Sequence, residues 1–336
     1  MRTFKVEPLD TQAMETCRFR IDNLTKPIYS LATLETIAER FAGILGDPKP
    51  NHLRQGVLVV AADHLVDGPQ NDQHGSESYA AIKRFNEGRT ATQGAAAKLN
   101  ATVHVVNVGL EQDTSDLANI EQQVIRKGSH FFGVEPVISR DDLERALELG
   151  FTYADKLHAD GLQVVAIGNV GERAFLDSLV TTATITGCAY EDILVHNEYG
   201  PTVEQRAAHI HSFVDRFNIS VEDWSTLSES ERRDAVLHLL HVAGGLDIEF
   251  LTAFILGDVS HRMAVVFDNL VTGAAVLAAV TIEPLVKDYV FPSAAYDEPI
   301  HDEPIHKEQF CFLGVKPYLD YKLLIDEALG STMGLS

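Results

Sequence analysis

The spacing of apolar positions divides the chain into two kinds of segment. Leu31, Leu34, Ile37, Ala38, Phe41 and Leu45 recur at a helical period and bury one stripe. Gly56 to Ala62, GVLVVAA, is instead a valine-rich, nearly continuous apolar run, which predicts a strand covered on both faces in a parallel sheet. The alternation repeats with a helix over Ser78 to Leu99, a strand from Thr102 to Val108 ending at Gly109, and a helix from Arg140 to His158. Ser139 can cap that last helix, and Asp141 and Asp142 complement its dipole. Leu162 to Ile167, LQVVAI, predicts a further strand that runs into a glycine turn at Gly168-Asn169-Val170-Gly171 and then a helix, an arrangement suited to phosphate. Thr202 with Gln205, and Ser228 with Glu231, fit capping boxes and announce helices. Met263 to Phe267 predicts a last strand ending at Asp268, followed by a buried helix through Gly273, Ala274, Ala275 and Ala278. Glu283 to His306 is rich in Pro, Asp and His, holds the tandem pentapeptide DEPIH at Asp297 to His301 and Asp302 to His306, and reads as a loop.

Strands alternating with helices predict an α/β fold, a three-layer Rossmann-like parallel sheet. The terminal segments, 1–45 and 306–336, are expected to form a small helical domain beside a large α/β domain over 46–305. Ligands of open α/β sheets gather at the carboxyl ends of strands, which directs attention to Asp63 and His64.

Composition narrows the function classes. A formal charge of -22 repels a phosphate backbone, so nucleic-acid binding is disfavoured, and any anionic nucleotide must be met by local amides or a few basic side chains. The longest weakly polar stretch, Leu270 to Ile282, is shorter than the ~20 residues that span a bilayer, and no secretory leader is evident, so a cytoplasmic protein without a membrane anchor is expected. Cys17, Cys188 and Cys311 are odd in number and far apart, which predicts reduced thiols. The 14 histidines, including His64, His74, His301 and His306, show no metal-ligand spacing, so no metal is expected. Gly168 to Gly171 supplies GxxG rather than the GxGxxG of dinucleotide sites.

Several motifs then fall in a common order: Lys26-Pro27 with Ser30 to Glu35, Ala61-Ala62-Asp63-His64, Phe85 to Gly88, Val106 to Gly109, Gly244 to Ile248, Val265 to Asp268, and Leu313 to Asp320. Together they resemble the nicotinate-nucleotide:dimethylbenzimidazole phosphoribosyltransferase family, with its KPPGSLGRLE, AADHGV, VDVG, GGLEIA and VVVDGF. The resemblance implies transfer of phosphoribose from nicotinate mononucleotide to an aromatic lower-ligand base of a cobamide, with no cofactor. It puts Glu327, in Asp326 to Gly330, at the place of the family's catalytic glutamate, the base for the incoming nucleophile. It implies substrate contacts at Asp63, His64, Gly168, Gly171, Gly200, Gly244, Gly245 and Asp268, and places Tyr79 and Arg84 in the base-pocket segment.

The departures concentrate at ligand loops. The family's GEMGIGNTT stands here as Gly168 to Leu176, with Asn169 for the acid and Glu172 in the turn, and its GRGTG corresponds to His196 to Gly200. Glycines there let backbone amides converge on phosphate, so their loss implies a weakened grip. Within the family such a chain resembles the less catalytic subunit of a heterodimeric branch that activates phenol or p-cresol. The implied partner is a homologous subunit; the alternative is an active homodimer using Glu327, with Arg173 or Arg206 replacing the lost donors.

Overall fold

The computed structural model describes residues 1–65, 76–194, 202–221, 223–294, 303–319 and 327–336. Gln55–Ala62 (β1), Thr102–Gly109 (β2), Glu121–Gln122 (β3), Val164–Val170 (β4), Ala264–Phe267 (β5) and Val290–Pro292 (β6) form one all-parallel sheet in the order β3-β2-β1-β4-β5-β6. This is the Rossmann-like α/β fold the sequence predicts. The order reverses between β1 and β4, so a ligand crevice is expected beyond their carboxyl ends.

The helices are Thr11–Asp22 (α1), Thr33–Leu45 (α2), Ser76–Asn86 (α3), Ala91–Lys98 (α4), Arg140–Ala159 (α5), Phe175–Thr186 (α6), Tyr190–Ile193 (α7), Val203–Phe217 (α8), Glu229–Ala243 (α9), Leu246–Ser260 (α10), Leu270–Ile282 (α11), Glu303–Leu313 (α12) and Leu329–Met333 (α13). Ser139 caps α5, and the capping boxes at Thr202 and Ser228 open α8 and α9 as expected. The helix anticipated over 78–99 is two helices. Gly88 takes φ 68°, and Thr90 with Gln93 forms a capping box that restarts the chain as α4. α10 and α11 are buried along their whole length except for Ser260, and α10 packs closely on α5, where Gly150 lies against the Phe250 carbonyl. α1 and α2 pack on each other, while α12 packs on α6, α7 and α11. Among the described residues no helix is long and apolar enough to cross a membrane.

The segment anticipated as a loop over 283–306 carries structure. Pro284–Asp288 is a 3-10 turn, β6 closes the sheet edge, and the second DEPIH copy enters α12, while the first copy lies outside the described residues. The reason is burial: Ile305 is fully buried, and His306 is 2% exposed and stacks on Phe310. Burial lowers the His306 pKa to about 4. The unfolded chain therefore takes up a proton near pH 6.5 that the folded chain refuses until about pH 4. The stability tied to His306 is full above pH 6.5 and is lost as pH falls through that window, by about 3 kcal/mol at most. A His306→Leu variant should lose less thermal stability than the wild type between pH 7 and pH 4.5; equal losses would remove His306 as the cause.

A second local departure lies before α2. Ala32 takes φ 47° and ψ -123°, a region that glycine occupies readily, and it stands where the resembled KPPGSLGRLE motif has glycine. Lys26 and Leu31 N both reach the Glu35 carboxylate and hold the turn. Ala32→Gly should raise the denaturant midpoint, by about 1 kcal/mol of stability; a lower midpoint would show that the turn carries no strain at this residue.

Candidate active site at the strand switch point

The turn after β1 is built around Asp63, which is 2% exposed. One of its oxygens accepts from Glu172 N at 3.0 Å and from the Ser78 hydroxyl; the other accepts from Glu111 N at 2.8 Å. A single carboxylate therefore ties the ends of β2 and β4 to the start of α3. His64, beside it, is also buried, and its backbone N–H donates to the Glu172 carbonyl at 3.0 Å.

The His64 ring lies between two carboxylates, with Nδ1 2.6 Å from Asp177 on α6 and Nε2 2.9 Å from Asp247 on α10. A neutral imidazole could donate to only one of them, so this geometry suits the imidazolium. Burial opposes that charge, but Asp247 and Asp177 outweigh it and raise the His64 pKa well above the usual value. Asp247 also accepts from the Asn169 amide at 3.3 Å, and Asn269 donates to the Asn169 oxygen at 2.8 Å. The neighbouring Glu249 is fully buried, and burial raises its pKa well above the carboxylate range despite the Gly245 N–H.

In front of this buried network lies a cleft of about 530 Å³. Ser78, Ala81 and Arg84 line it from one face of α3, Asn169 to Arg173 line it from the end of β4, and Glu327 closes it. The Arg84 guanidinium donates to Glu327 Oε1 at 2.7 Å across a sequence separation of 243 residues. Thr92 on α4 holds the Glu327 carbonyl at 2.7 Å, and the chain passes through positive φ at Glu327 (28°) and Ala328 (66°) before entering α13. On the opposite wall Glu172 accepts from Glu77 N at 2.7 Å and Ser78 N at 3.3 Å, so its carboxylate occupies the N-terminus of α3.

Of the residues singled out from the sequence, Arg84, Gly171 and Glu327 line the cleft. Asp63, His64 and Asp268 are buried behind it, and Asp268 accepts from Ser331 N at 2.9 Å at the start of α13. Tyr79 packs against the hydrophobic core. Gly168 lies inside β4 rather than in a turn, where a Cβ would collide with that of Ala328. Gly171 faces the Ala62 carbonyl, Gly244 the Leu240 carbonyl and Gly245 the His64 ring, all closer than a side chain allows. Close protein contacts thus account for these glycines. Gly200 lies outside the described residues. Arg173 lines the cleft, whereas Arg206 lies on α8 away from it. Sequence reasoning missed Ser78, Asp177 and Glu249; the available signal was acidic residues inside the otherwise apolar α6 and α10.

An all-parallel sheet with an acid-lined and arginine-lined cleft at its switch point defines an α/β enzyme scaffold that binds its ligand beyond the carboxyl ends of the strands. The chain belongs to the phosphoribosyltransferase family, whose pattern it matches over residues 6–336. It is 30% identical to the nicotinate-nucleotide–dimethylbenzimidazole phosphoribosyltransferase of Chloroflexus aggregans, over 98% of this chain and 90% of that one. It is also 30% identical to that of Roseiflexus castenholzii, over 99% and 90%. A crystal structure of the enzyme of the same name from Thermus thermophilus superposes with a TM-score of 0.82 at 25% identity, covering 97% of this chain and 93% of that one.

Proposed function

We propose that this chain is a subunit of a nicotinate mononucleotide:base phosphoribosyltransferase that activates the lower-ligand base of a cobamide, and that it works best beside a homologous subunit. The observation that carries the reading is Glu327. Distant in sequence from the rest of the cleft, it closes the cleft on a backbone held at positive φ, a conformation that costs a non-glycine residue energy and is retained where surrounding structure requires it. In the proposed reaction the acceptor attacks the ribose anomeric carbon, the bond to the pyridinium nitrogen breaks, and its electron pair returns to the ring. Nicotinate therefore leaves without an acid, and the one proton to be removed is the acceptor's, which Glu327 takes.

The accessory part of the reading rests on Glu172. The Glu77 and Ser78 amides at the start of α3 are hydrogen-bonded to its carboxylate, so donors suited to a phosphate already hold an anion of the protein. A homologous partner with intact glycine loops would supply the stronger phosphate site, with a second copy of this chain as the alternative assembly and phenol, p-cresol or a benzimidazole as acceptor. The test is nicotinate release from nicotinate mononucleotide with 5,6-dimethylbenzimidazole or phenol, for the purified chain alone and mixed with a homologous subunit. Faster release in the mixture supports the accessory role, an isolated chain as fast as any mixture removes it, and no release under any condition removes the transferase reading.

A further inference from the structure

The cleft contains a cation in contact with the proposed base, and the charge changes of the reaction make that contact selective. Arg84 Nη2 lies 2.7 Å from Glu327 Oε1, with the arginine side chain 48% exposed toward the cleft and the glutamate side chain 18% exposed. A group that hands its proton to Glu327 must therefore end beside a guanidinium. Two acceptor classes differ sharply there.

An aromatic hydroxyl gives its proton to the carboxylate, leaving a neutral acid and an anionic oxygen. The guanidinium, no longer facing a charged carboxylate, can turn its donors to that oxygen. One ion pair exists before the transfer and one after it, so no anion is left unpaired in the cleft. The oxygen then bonds to the anomeric carbon as the bond to the pyridinium nitrogen breaks, and Glu327 returns its proton to water. An azole behaves oppositely. It attacks through a neutral ring nitrogen, positive charge grows on the ring until Glu327 removes the remaining N–H proton, and that charge develops beside an arginine of the same sign.

We propose that Arg84 is the acceptor-selecting residue of this cleft, holding the ionised oxygen of an aromatic hydroxyl and disfavouring neutral azoles. The proposal rests on the reading of Glu327 as the base, and it assigns to one side chain a preference that the names of the related enzymes do not contain. The other charged groups lining the cleft, Glu77, Glu172 and Arg173, come from the start of α3 and the end of β4. Glu172 is engaged by the α3 amides, and Arg84 donates directly to the proposed base.

The experiment compares wild type, Arg84→Gln and Arg84→Lys in two measurements. In the first, kcat/KM for nicotinate release is measured with phenol and with 5,6-dimethylbenzimidazole, using the chain alone or in its most active mixture. The phenol-to-azole ratio should fall about tenfold or more in Arg84→Gln and recover in part in Arg84→Lys, which keeps the charge. An equal fall with both acceptors, or an unchanged ratio, overturns the proposal. The second measurement needs no turnover. 4-Nitrophenol, coloured when ionised, is titrated into each protein below its own pKa. Wild type should bind it as the coloured anion and Arg84→Gln should not; no bound anion on the wild type, or equal binding by both, overturns the proposal. Absence of nicotinate release with either acceptor bears instead on the transferase reading, and the titration still decides the role of Arg84.

Discussion

Replacing Glu327 by glutamine is expected to lower kcat/KM for nicotinate release by about a hundred- to ten-thousand-fold, the range typical of a lost general base. Glutamine keeps the length of the side chain and an oxygen that can accept from Arg84 Nη2, so the 2.7 Å contact across the cleft can survive. The Thr92 bond is to the backbone carbonyl and is untouched. What disappears is the ability to take a proton, so the loss should fall on kcat, with little change in the binding of nicotinate mononucleotide. The measurement belongs in the most active assembly, whether the chain alone or a mixture with a homologous subunit. Activity within threefold of wild type would mean that a carboxylate elsewhere does the work. Glu77 or Glu172 in the same cleft, or the partner's own residues, would then be the base, and this chain would contribute only scaffold.

How far the site could be read from sequence depended on whether a residue's role was local. β1 and β4 were legible because strands buried on both faces must be continuously apolar, and α5, α8 and α9 because their caps are written in adjacent residues. The break between α3 and α4 was also written locally, in Gly88 and the Thr90 capping box within the polar run Asn86 to Thr90, although the sequence reading joined the two helices. The second DEPIH copy misled for the opposite reason. Its composition is that of a loop, but as the first turn of α12 it buries Ile305 and His306.

The glycines taught a related lesson. A glycine can admit a phosphate or a neighbouring strand, and sequence does not distinguish the two. At Gly168 and Gly171 the neighbours are Ala328 and the Ala62 carbonyl. Asp63 and His64 stand at the end of β1, but whether such residues face a ligand or the interior depends on α6 and α10, more than a hundred positions away. Glu327 was reachable only through the family resemblance, since nothing near it in sequence suggests a cleft.

The imidazolium clamp behind the cleft carries the second large expectation: His64→Gln should destabilise the fold by about 3–5 kcal/mol, seen as a lower denaturant midpoint. The ring separates Asp177 and Asp247, both fully buried, at 2.6 and 2.9 Å. Without its charge, two carboxylates face each other in the interior with Glu249 close in sequence to one of them, and an unpaired buried charge costs more than the pair contributes. Burial already raises the Asp177 pKa to about 6, and the imidazolium opposes this shift more than any other group. Adding Asp177→Asn to His64→Gln should therefore recover part of the loss, which a generic packing defect would not allow. The pH dependence has a defined sign. Because the folded His64 pKa lies well above 6.5, its contribution is complete below pH 6.5 and declines as pH rises toward the folded value. The difference in stability between wild type and His64→Gln should accordingly narrow on the alkaline side. A difference that is constant from pH 6 to pH 9, together with no recovery in the double variant, would mean that the ring fills space rather than holding two charges apart. Through Asp247 the same clamp orients Asn169 on the wall of the cleft, so any residual activity of His64→Gln should show a raised KM before a lowered kcat.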